Sequence, residues 1–172
     1  MTPEFFDRHF VWPVLSQMAA YDPRFDSQQA RMLLIGTACM ESNFCQYNRQ
    51  IKGPALGIMQ VEPATEQWIR KEYMLRHKPL YLVMHKLAGT IEADDEYYSG
   101  LLESSWHYSI FIARLKYFSI PHPMPDSLDA LAKYWDDHYN ANPSEGFPDE
   151  FVAKYKKYAG DFMPQSPTQA SH

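Results

Sequence analysis

Apolar residues recur at helical spacing along most of this chain, and no set of segments alternates polar and apolar positions as the strands of a sheet would. Capping residues and prolines mark where the helices begin. The pattern predicts helices that start at Thr2-Pro3, at a capping box in Asp26–Gln29, at Pro63, at Ser104-Ser105, at Asp126-Ser127 and at Pro148. We therefore expect a mainly α, single-domain fold of about six helices.

The segments between these helices differ in character. Residues 48–61 are rich in glycine and proline, which predicts a loop with a short hairpin. The segment 78–100 is predicted as a short helix followed by an acidic loop, and the prolines within 121–125 predict a stiff connector. Residues 164–172 have no apolar anchor, so we expect a domain of residues 1–163 with a disordered tail.

Composition narrows the class of protein. Of the 172 residues 45% are apolar, which is ordinary for a globular domain and excludes disorder of the whole chain. A net charge of −5 disfavours nucleic-acid binding. The longest apolar stretch, Met32–Met40, is too short for a membrane span, which needs about twenty residues. Cys39 and Cys45 are expected to be reduced, buried thiols, and no zinc-binding spacing is present, so neither metal nor cofactor is expected.

One carboxylate stands out by its position. The helix predicted from Ser27 to Phe44 is apolar on nearly every side, which is typical of a buried helix. Glu41 lies near its C-terminal end, where burial and the helix dipole both disfavour the charged form, so we expect a raised pKa. A carboxyl that stays protonated near neutrality suits a general acid for glycosidic cleavage. An ion pair with an arginine, or exposure at the helix end, would give Glu41 no such role.

Further motifs follow Glu41-Ser42 along the chain. They are Gly57-Ile58-Met59-Gln60, Pro63-Ala64-Thr65, Tyr139-Asn140-Ala141-Asn142, and Tyr155 in the closing helix. In order and approximate spacing, this set resembles the soluble lytic transglycosylase family, which has the fold of goose-type lysozyme. The resemblance covers about residues 27–158, and it departs from the family pattern where Asn142 replaces the usual glycine.

The resemblance implies a lysozyme-like fold and cleavage of the peptidoglycan bond between N-acetylmuramic acid and N-acetylglucosamine. It implies that Glu41 donates a proton to the leaving oxygen and then acts as base on the muramoyl 6-hydroxyl, which gives a 1,6-anhydro product without water. The substrate-binding residues that it implies are Ser42, Gly57, Met59, Gln60, Tyr139, Asn140 and Tyr155. Each of these also has a structural interpretation as a turn, core or loop-bracing residue, and Tyr158 competes with Tyr155 for the last role.

Two alternatives to a transglycosylase stay open at this point. Asp136 or Asp137 could position a water molecule, which would make the enzyme an inverting lysozyme of the same fold. The altered third motif and the unusual segment 78–125 would also suit a non-catalytic structural protein of a phage particle. The tryptophans, including Trp135, are interpreted as core residues, and the acidic run Glu92–Glu96 as solvated surface.

The expected partners are peptidoglycan glycan strands and other phage virion proteins, with no nucleic acid and no membrane among them. The N-terminus shows no basic start followed by an apolar run, so no signal peptide is predicted. Because peptidoglycan lies outside the cytoplasmic membrane, we expect synthesis in the host cytoplasm, incorporation into a virion and action in the periplasm. This expectation follows from similarity to phage proteins that carry such a domain, and a free lysis enzyme is the alternative.

Overall fold

Helices dominate the computed structural model, which describes residues 1–50, 53–141 and 147–165. The α-helices are α1 (Pro3–Phe6), α2 (Trp12–Ala19), α3 (Gln28–Ser42), α4 (Pro63–Lys71), α5 (Leu80–Ala88), α6 (Asp95–Ser104), α7 (Trp106–Phe118), α8 (Leu128–His138) and α9 (Phe147–Ala159). A π-helical stretch, Asp7–Val11, joins α1 to α2, and 3-10 turns cover Pro23–Phe25 and Tyr73–Arg76. The described residues form no strand, only isolated β-bridges. The predicted mainly α fold is confirmed.

Side-chain caps start most of the predicted helices where the sequence indicates. Thr2, Ser27, Ser105 and Ser127 each have an extended backbone and accept a hydrogen bond from the N–H three residues later. Such a bond satisfies one of the N–H groups that a helix start leaves without a partner. The helix starts were predictable because each depends on a short, local stretch of sequence.

The segment 78–100 differs from its prediction, because it forms α5 and the start of α6 rather than one helix and a loop. Asp94 caps α6 by accepting a hydrogen bond from the backbone N–H three residues later. Asp95 then forms ion pairs with Arg70 (2.7 Å) and Lys71 (2.6 Å) of α4. Part of the acidic run therefore attaches α6 to α4 instead of only facing solvent.

The helices α3 and α7 form the centre of the molecule. Both are buried on nearly all sides, as the apolar pattern of α3 predicts. Helix α3 packs against α7, α8 and α9. Gly36 lets α9 approach closely, because a Cβ at this position would lie only 2.1 Å from the ring of Phe151. This packing brings α8 and α9 beside the C-terminal end of α3.

Residues 48–50 and 53–61, the described part of the predicted loop between α3 and α4, have hairpin character. Antiparallel bridges join Arg49 to Leu56 and Leu56 to Val61. In the bend between Leu56 and Val61, Gly57 has a positive φ of 75°. A Cβ on Gly57 would lie 1.8 Å from the carbonyl oxygen of Leu102. Glycine is therefore required here both by backbone conformation and by space.

Two smaller predictions concern the cysteines and the tail. Cys39 and Cys45 are free thiols, the first buried and the second half-buried. The predicted tail falls largely on residues 166–172, which lie outside the described part of the chain. Its first two residues contact α3, because the carbonyls of Pro164 and Gln165 accept hydrogen bonds from Gln28 (2.8 Å) and Arg31 (3.3 Å).

Candidate active site

Glu41 lies in the last turn of α3, one residue before the helix ends at Ser42. Asn43 then takes a left-handed conformation (φ 48°, ψ 49°), and its N–H bonds back to the carbonyl of Ala38. From α9, Lys154 donates a hydrogen bond of 3.2 Å to the Met40 carbonyl, which places a cation at the negative end of the helix dipole. The helix end is thus closed by both backbone and side-chain donors.

The Glu41 carboxyl is half-buried and accepts a hydrogen bond of 3.1 Å from the indole Nε1 of Trp135 on α8. Burial raises the pKa of Glu41 from 4.5 to about 7, although the Trp135 bond and the positive charges of Lys116 and Lys154 act to lower it. Desolvation outweighs these three effects, because removing water from the carboxylate disfavours its charged form more than the nearby donor and cations favour it. The predicted rise of this pKa is confirmed.

A cleft of about 420 Å³ opens beside Glu41. Its lining comes from the ends of α3 and α8, from the loop 48–61, from the start of α4 and from α7. The lining residues are Glu41, Gln50, Ala55, Gln60, Glu62, Thr65, Lys116, His138, Tyr139, Asn140 and Ala141. The fold therefore brings residues of all four quoted motifs, from Glu41-Ser42 to Tyr139-Asn140, to one cleft.

Tyr139 connects the wall of the cleft to the loop. Its hydroxyl donates a hydrogen bond of 2.7 Å to the Met59 carbonyl, and its ring stacks on Tyr117 of α7 with centroids 4.8 Å apart. The Tyr117 hydroxyl is in turn 2.7 Å from the hydroxyl of Thr37 in α3. Because both tyrosines are buried, their pKa values lie well above 10 and both rings stay neutral. This chain of contacts fixes the loop relative to α3.

Lys116 supplies positive charge to the same cleft. Its ammonium donates a hydrogen bond of 2.8 Å to the Tyr139 carbonyl and lies 3.7 Å from the centre of the Tyr139 ring. Burial lowers the pKa of Lys116, while the negative charges of Glu41 and Glu62 raise it in part. Lys116 therefore interacts electrostatically with two carboxylates of the cleft. The sequence contains only a weak signal for this role of Lys116, namely that it is a cation on a helix that is otherwise largely buried.

Gln60 and Asn140 present amide groups at the cleft. Gln60 has a left-handed backbone (φ 47°), and its Nε2 donates a hydrogen bond of 2.7 Å to the Gly57 carbonyl. Asn140 Nδ2 donates to the Asp136 carboxylate at 3.0 Å. Both amides are therefore oriented by bonds to their own surroundings while they line the space beside Glu41. Asn142, which completes the third motif, lies outside the described residues.

Four of the predicted substrate-binding residues do not line the cleft. Ser42 is fully buried and bonds to the Ala38 carbonyl (2.9 Å), and the Cβ position of Gly57 faces Leu102. The side chain of Met59 is also buried, and only its carbonyl is used, by Tyr139. Tyr155 is buried and donates to the Phe162 carbonyl at 2.9 Å. In the structure all four have structural contacts that support the loop or the helices.

The second carboxylate of the cleft is one that the sequence did not single out. Asp136 is buried beneath Asn140, and Asp137 pairs with Lys133 at the surface, so neither lines the cleft. Glu62, at the start of α4, is exposed and does line it. The sequence signal that could have indicated Glu62 is its position, directly after the glycine-containing loop and before Pro63.

Comparisons with known proteins add no further information on the site. No protein-family model matches the chain, and neither curated proteins nor solved structures provide a match. Within residues 1–50, 53–141 and 147–165, no cluster of three or more His, Cys, Asp or Glu side chains is arranged to hold a metal ion. In the same ranges every helix is too short or too polar to span a bilayer.

Proposed function

We propose that this chain is a lytic transglycosylase that cleaves peptidoglycan between N-acetylmuramic acid and N-acetylglucosamine, with Glu41 as both acid and base. The observation that carries the proposal is the Glu41 carboxyl itself, half-buried beside an open cleft, with its pKa raised to about 7 by burial. Near neutral pH such a group is present in both protonation states. That property suits a reaction in which one carboxyl first gives and then takes a proton.

In the first step Glu41 transfers its proton to the glycosidic oxygen, and the bond between that oxygen and the muramoyl C1 breaks. The leaving sugar keeps the proton as a hydroxyl, and the oxocarbenium-like C1 is assisted by the substrate's acetamido group. In the second step the Glu41 carboxylate removes the proton of the C6 hydroxyl while that oxygen attacks C1. The new 1,6-anhydro bond completes the reaction, Glu41 regains its proton, and no water is consumed.

The other polar groups of the cleft would act on the substrate and on the charge of Glu41. Lys116 and the indole N–H of Trp135 stabilise the carboxylate form that exists between the two steps. The amides of Gln60 and Asn140 offer donors and acceptors suited to acetamido and hydroxyl groups of a glycan. These residues would orient the sugar, while Glu41 alone exchanges protons with it.

The test is product analysis on purified sacculi with the wild-type chain and Glu41→Gln. We expect mass spectrometry to find 1,6-anhydromuramoyl ends with the wild type and none with the variant. Glu62→Gln is the matched control, because it removes a second carboxylate from the same cleft. Equal cleavage by wild type and Glu41→Gln would exclude Glu41 as the acid, and no cleavage by either would favour a non-catalytic structural protein.

A hydrolysing lysozyme is the second candidate, and the exposed Glu62 in the cleft is the observation that favours it. In that case Glu62 would activate a water molecule instead of leaving C1 to the 6-hydroxyl. The products would then be reducing ends that carry oxygen from ¹⁸O-labelled water, and Glu62→Gln would abolish them. If the products carry labelled reducing ends and no anhydro ends, the chain is a hydrolysing lysozyme and the lytic transglycosylase is excluded.

The setting in which the enzyme acts is part of the same proposal. On the family resemblance, the chain would be carried by a phage virion with other virion proteins as partners, and would act on peptidoglycan in the periplasm. A free lysis enzyme would act on the same bond. Mass spectrometry of purified particles would distinguish the two, because only a virion component remains with the particle through density-gradient purification.

A further inference from the structure

A second cavity, of about 430 Å³, lies between the Pro23–Phe25 turn, the C-terminal part of α7 and the proline-rich connector before α8. Arg24, Arg114 and His122 line it together with aromatic residues. Among the residues that the structure describes, no aspartate or glutamate lines it. The cavity therefore combines basic groups with apolar walls, which is the lining expected for an organic anion.

Arg114 is the unusual member of this lining, because its buried positive charge has no carboxylate partner within the described ranges. The residue is only 3% exposed, and it donates to two neutral carbonyls, those of Phe25 (2.8 Å) and Arg24 (2.9 Å). The acidic residues that influence it are already paired at 2.6 Å, Asp22 with Arg24 and Asp26 with Arg31. A buried cation without an anion is costly, which a bound anion would relieve.

Arg114 lines the cavity, and one nitrogen of its guanidinium makes no hydrogen bond within the described ranges. Nε and Nη2 make the two bonds to carbonyls, whereas Nη1 has no such bond. The guanidinium also lies near the rings of Phe25 and Phe118, whose centroids are 5.7 Å and 5.2 Å from its central carbon. A guanidinium held by two hydrogen bonds, with a further nitrogen unbonded within the described ranges, suits a carboxylate.

Ring contacts connect the lining of this cavity to the lining of the candidate active site. His138 lines the cleft, and its ring stacks on His122 (centroids 5.5 Å apart) and contacts Tyr134 edge-on (4.6 Å). Both His122 and Tyr134 line the second cavity. The cleft and the second cavity are therefore neighbours, since their lining residues contact one another through these rings.

We propose that the second cavity binds a carboxylate through Arg114, and that this carboxylate belongs to a peptide stem of the peptidoglycan held in the cleft. The first part of the proposal, that a carboxylate binds here, is supported by the contacts of Arg114 alone. The assignment to a peptide stem rests in addition on the proposed function, because the stems are the carboxylate-bearing substituents of the muramoyl residues. Under this proposal the enzyme distinguishes peptide-bearing glycan from neutral glycan by this second contact.

The test uses the full chain and two probes, N-acetylmuramoyl-L-alanyl-D-isoglutamine, which bears a carboxylate, and the neutral sugar chitotetraose. By calorimetry, Arg114→Met should bind the muramoyl dipeptide about tenfold more weakly than wild type, as expected for one lost charge-assisted hydrogen bond. Chitotetraose affinity should not change. Lys133→Met is the matched control, since this surface cation of α8 is paired with Asp137 and lines neither cavity, and less than a twofold change is expected.

A second measurement needs no variant that could fail to fold. In the ¹⁵N NMR spectrum of the wild-type chain, the Arg114 Nε–H signal should move on titration with the muramoyl dipeptide and not with chitotetraose. An unmoved Arg114 signal, or equal dipeptide affinity in Arg114→Met, overturns the proposal. If inorganic phosphate moves the signal at the same concentration, the anion site stands but the stem assignment fails. A response to the dipeptide without cleavage of sacculi would leave this site intact and refute only the transglycosylase.

Discussion

Replacing Glu41 by glutamine should stabilise the protein increasingly as the pH rises. An unfolded chain loses the Glu41 proton near pH 4.5, whereas the folded chain keeps it until the pH reaches about 7. Between these values the folded state holds a proton that the unfolded state has lost, so its stability falls with rising pH. The gap between the two pKa values corresponds to about 3 kcal/mol.

Glutamine copies the protonated carboxyl in shape and can still accept the Trp135 bond, but it never ionises. The free energy of unfolding of Glu41→Gln should therefore exceed that of wild type by about 3 kcal/mol more at pH 8 than at pH 4. For a chain of this length that difference corresponds to roughly 6–12 °C in Tm. Asp7, whose pKa burial raises to about 6, adds a similar slope that is common to both proteins and cancels in the difference.

Urea denaturation at half-unit steps between pH 4 and pH 8.5 measures this difference directly. Glu103→Gln is the control, because the Arg49 side chain lowers the pKa of Glu103, and its replacement should bring no growing advantage at high pH. The reasoning is refuted if the difference between Glu41→Gln and wild type stays constant across the range. Glu41 would then ionise as an ordinary glutamate, and the acid of the proposed mechanism would be deprotonated at neutral pH.

Three further substitutions test the surroundings of Glu41. Trp135→Phe removes the hydrogen bond that lowers the pKa of Glu41, so the alkaline limb of the cleavage rate should move to higher pH, as measured on sacculi. Lys116→Met removes a cation that also lowers this pKa, and its pH–rate profile should move in the same direction. Gly57→Ala should destabilise the fold by about 3 kcal/mol or more in urea denaturation, because its Cβ would meet the Leu102 carbonyl in a left-handed backbone.

Matched controls separate these effects from general damage. Lys133→Met removes a surface cation of α8 that pairs with Asp137, and the pH–rate profile should stay in place. Gly100→Ala places a Cβ in open space within α6 and should leave the fold as stable or slightly more stable. If Lys133→Met moved the profile as far as Lys116→Met, net charge rather than the local cation would set the pKa of Glu41. Equal losses in the two glycine variants would contradict the steric argument.

The helix starts and the buried character of α3 could be predicted because both depend on residues close together in the chain. Ser27 caps α3 by accepting from Ala30, and an apolar surface on every side implies burial whatever the partner helix is. The packing of α6 against α4 could not be predicted in the same way. This packing depends on the pairing of Asp95 with Arg70, which is a contact between distant segments.

The candidate site shows the same division. The sequence indicates the direction of the Glu41 pKa shift, since a carboxyl on a buried helix end is desolvated whatever surrounds it. The size of the shift depends in addition on α7, α8 and α9, which supply Lys116, Trp135 and Lys154, because these three groups lower the pKa against the effect of burial. The helical spacing of Trp135 predicts a core residue, and it is 2% exposed, yet its one polar atom bonds to the candidate acid. The indole ring of Trp135 is both a buried apolar group and a hydrogen-bond donor. A hydropathy pattern detects only its apolar character.

This combination also explains why the pKa of Glu41 comes to lie near 7 rather than far higher. The apolar surroundings that disfavour the carboxylate also strengthen its attraction to each nearby donor and cation, because a low dielectric reduces screening of both effects. Removing one donor should then move the pKa further than the same change at the surface would. Strong desolvation, offset by a nearby donor and nearby cations, gives a carboxyl that ionises near neutrality. The proposed acid–base role of Glu41 requires that property.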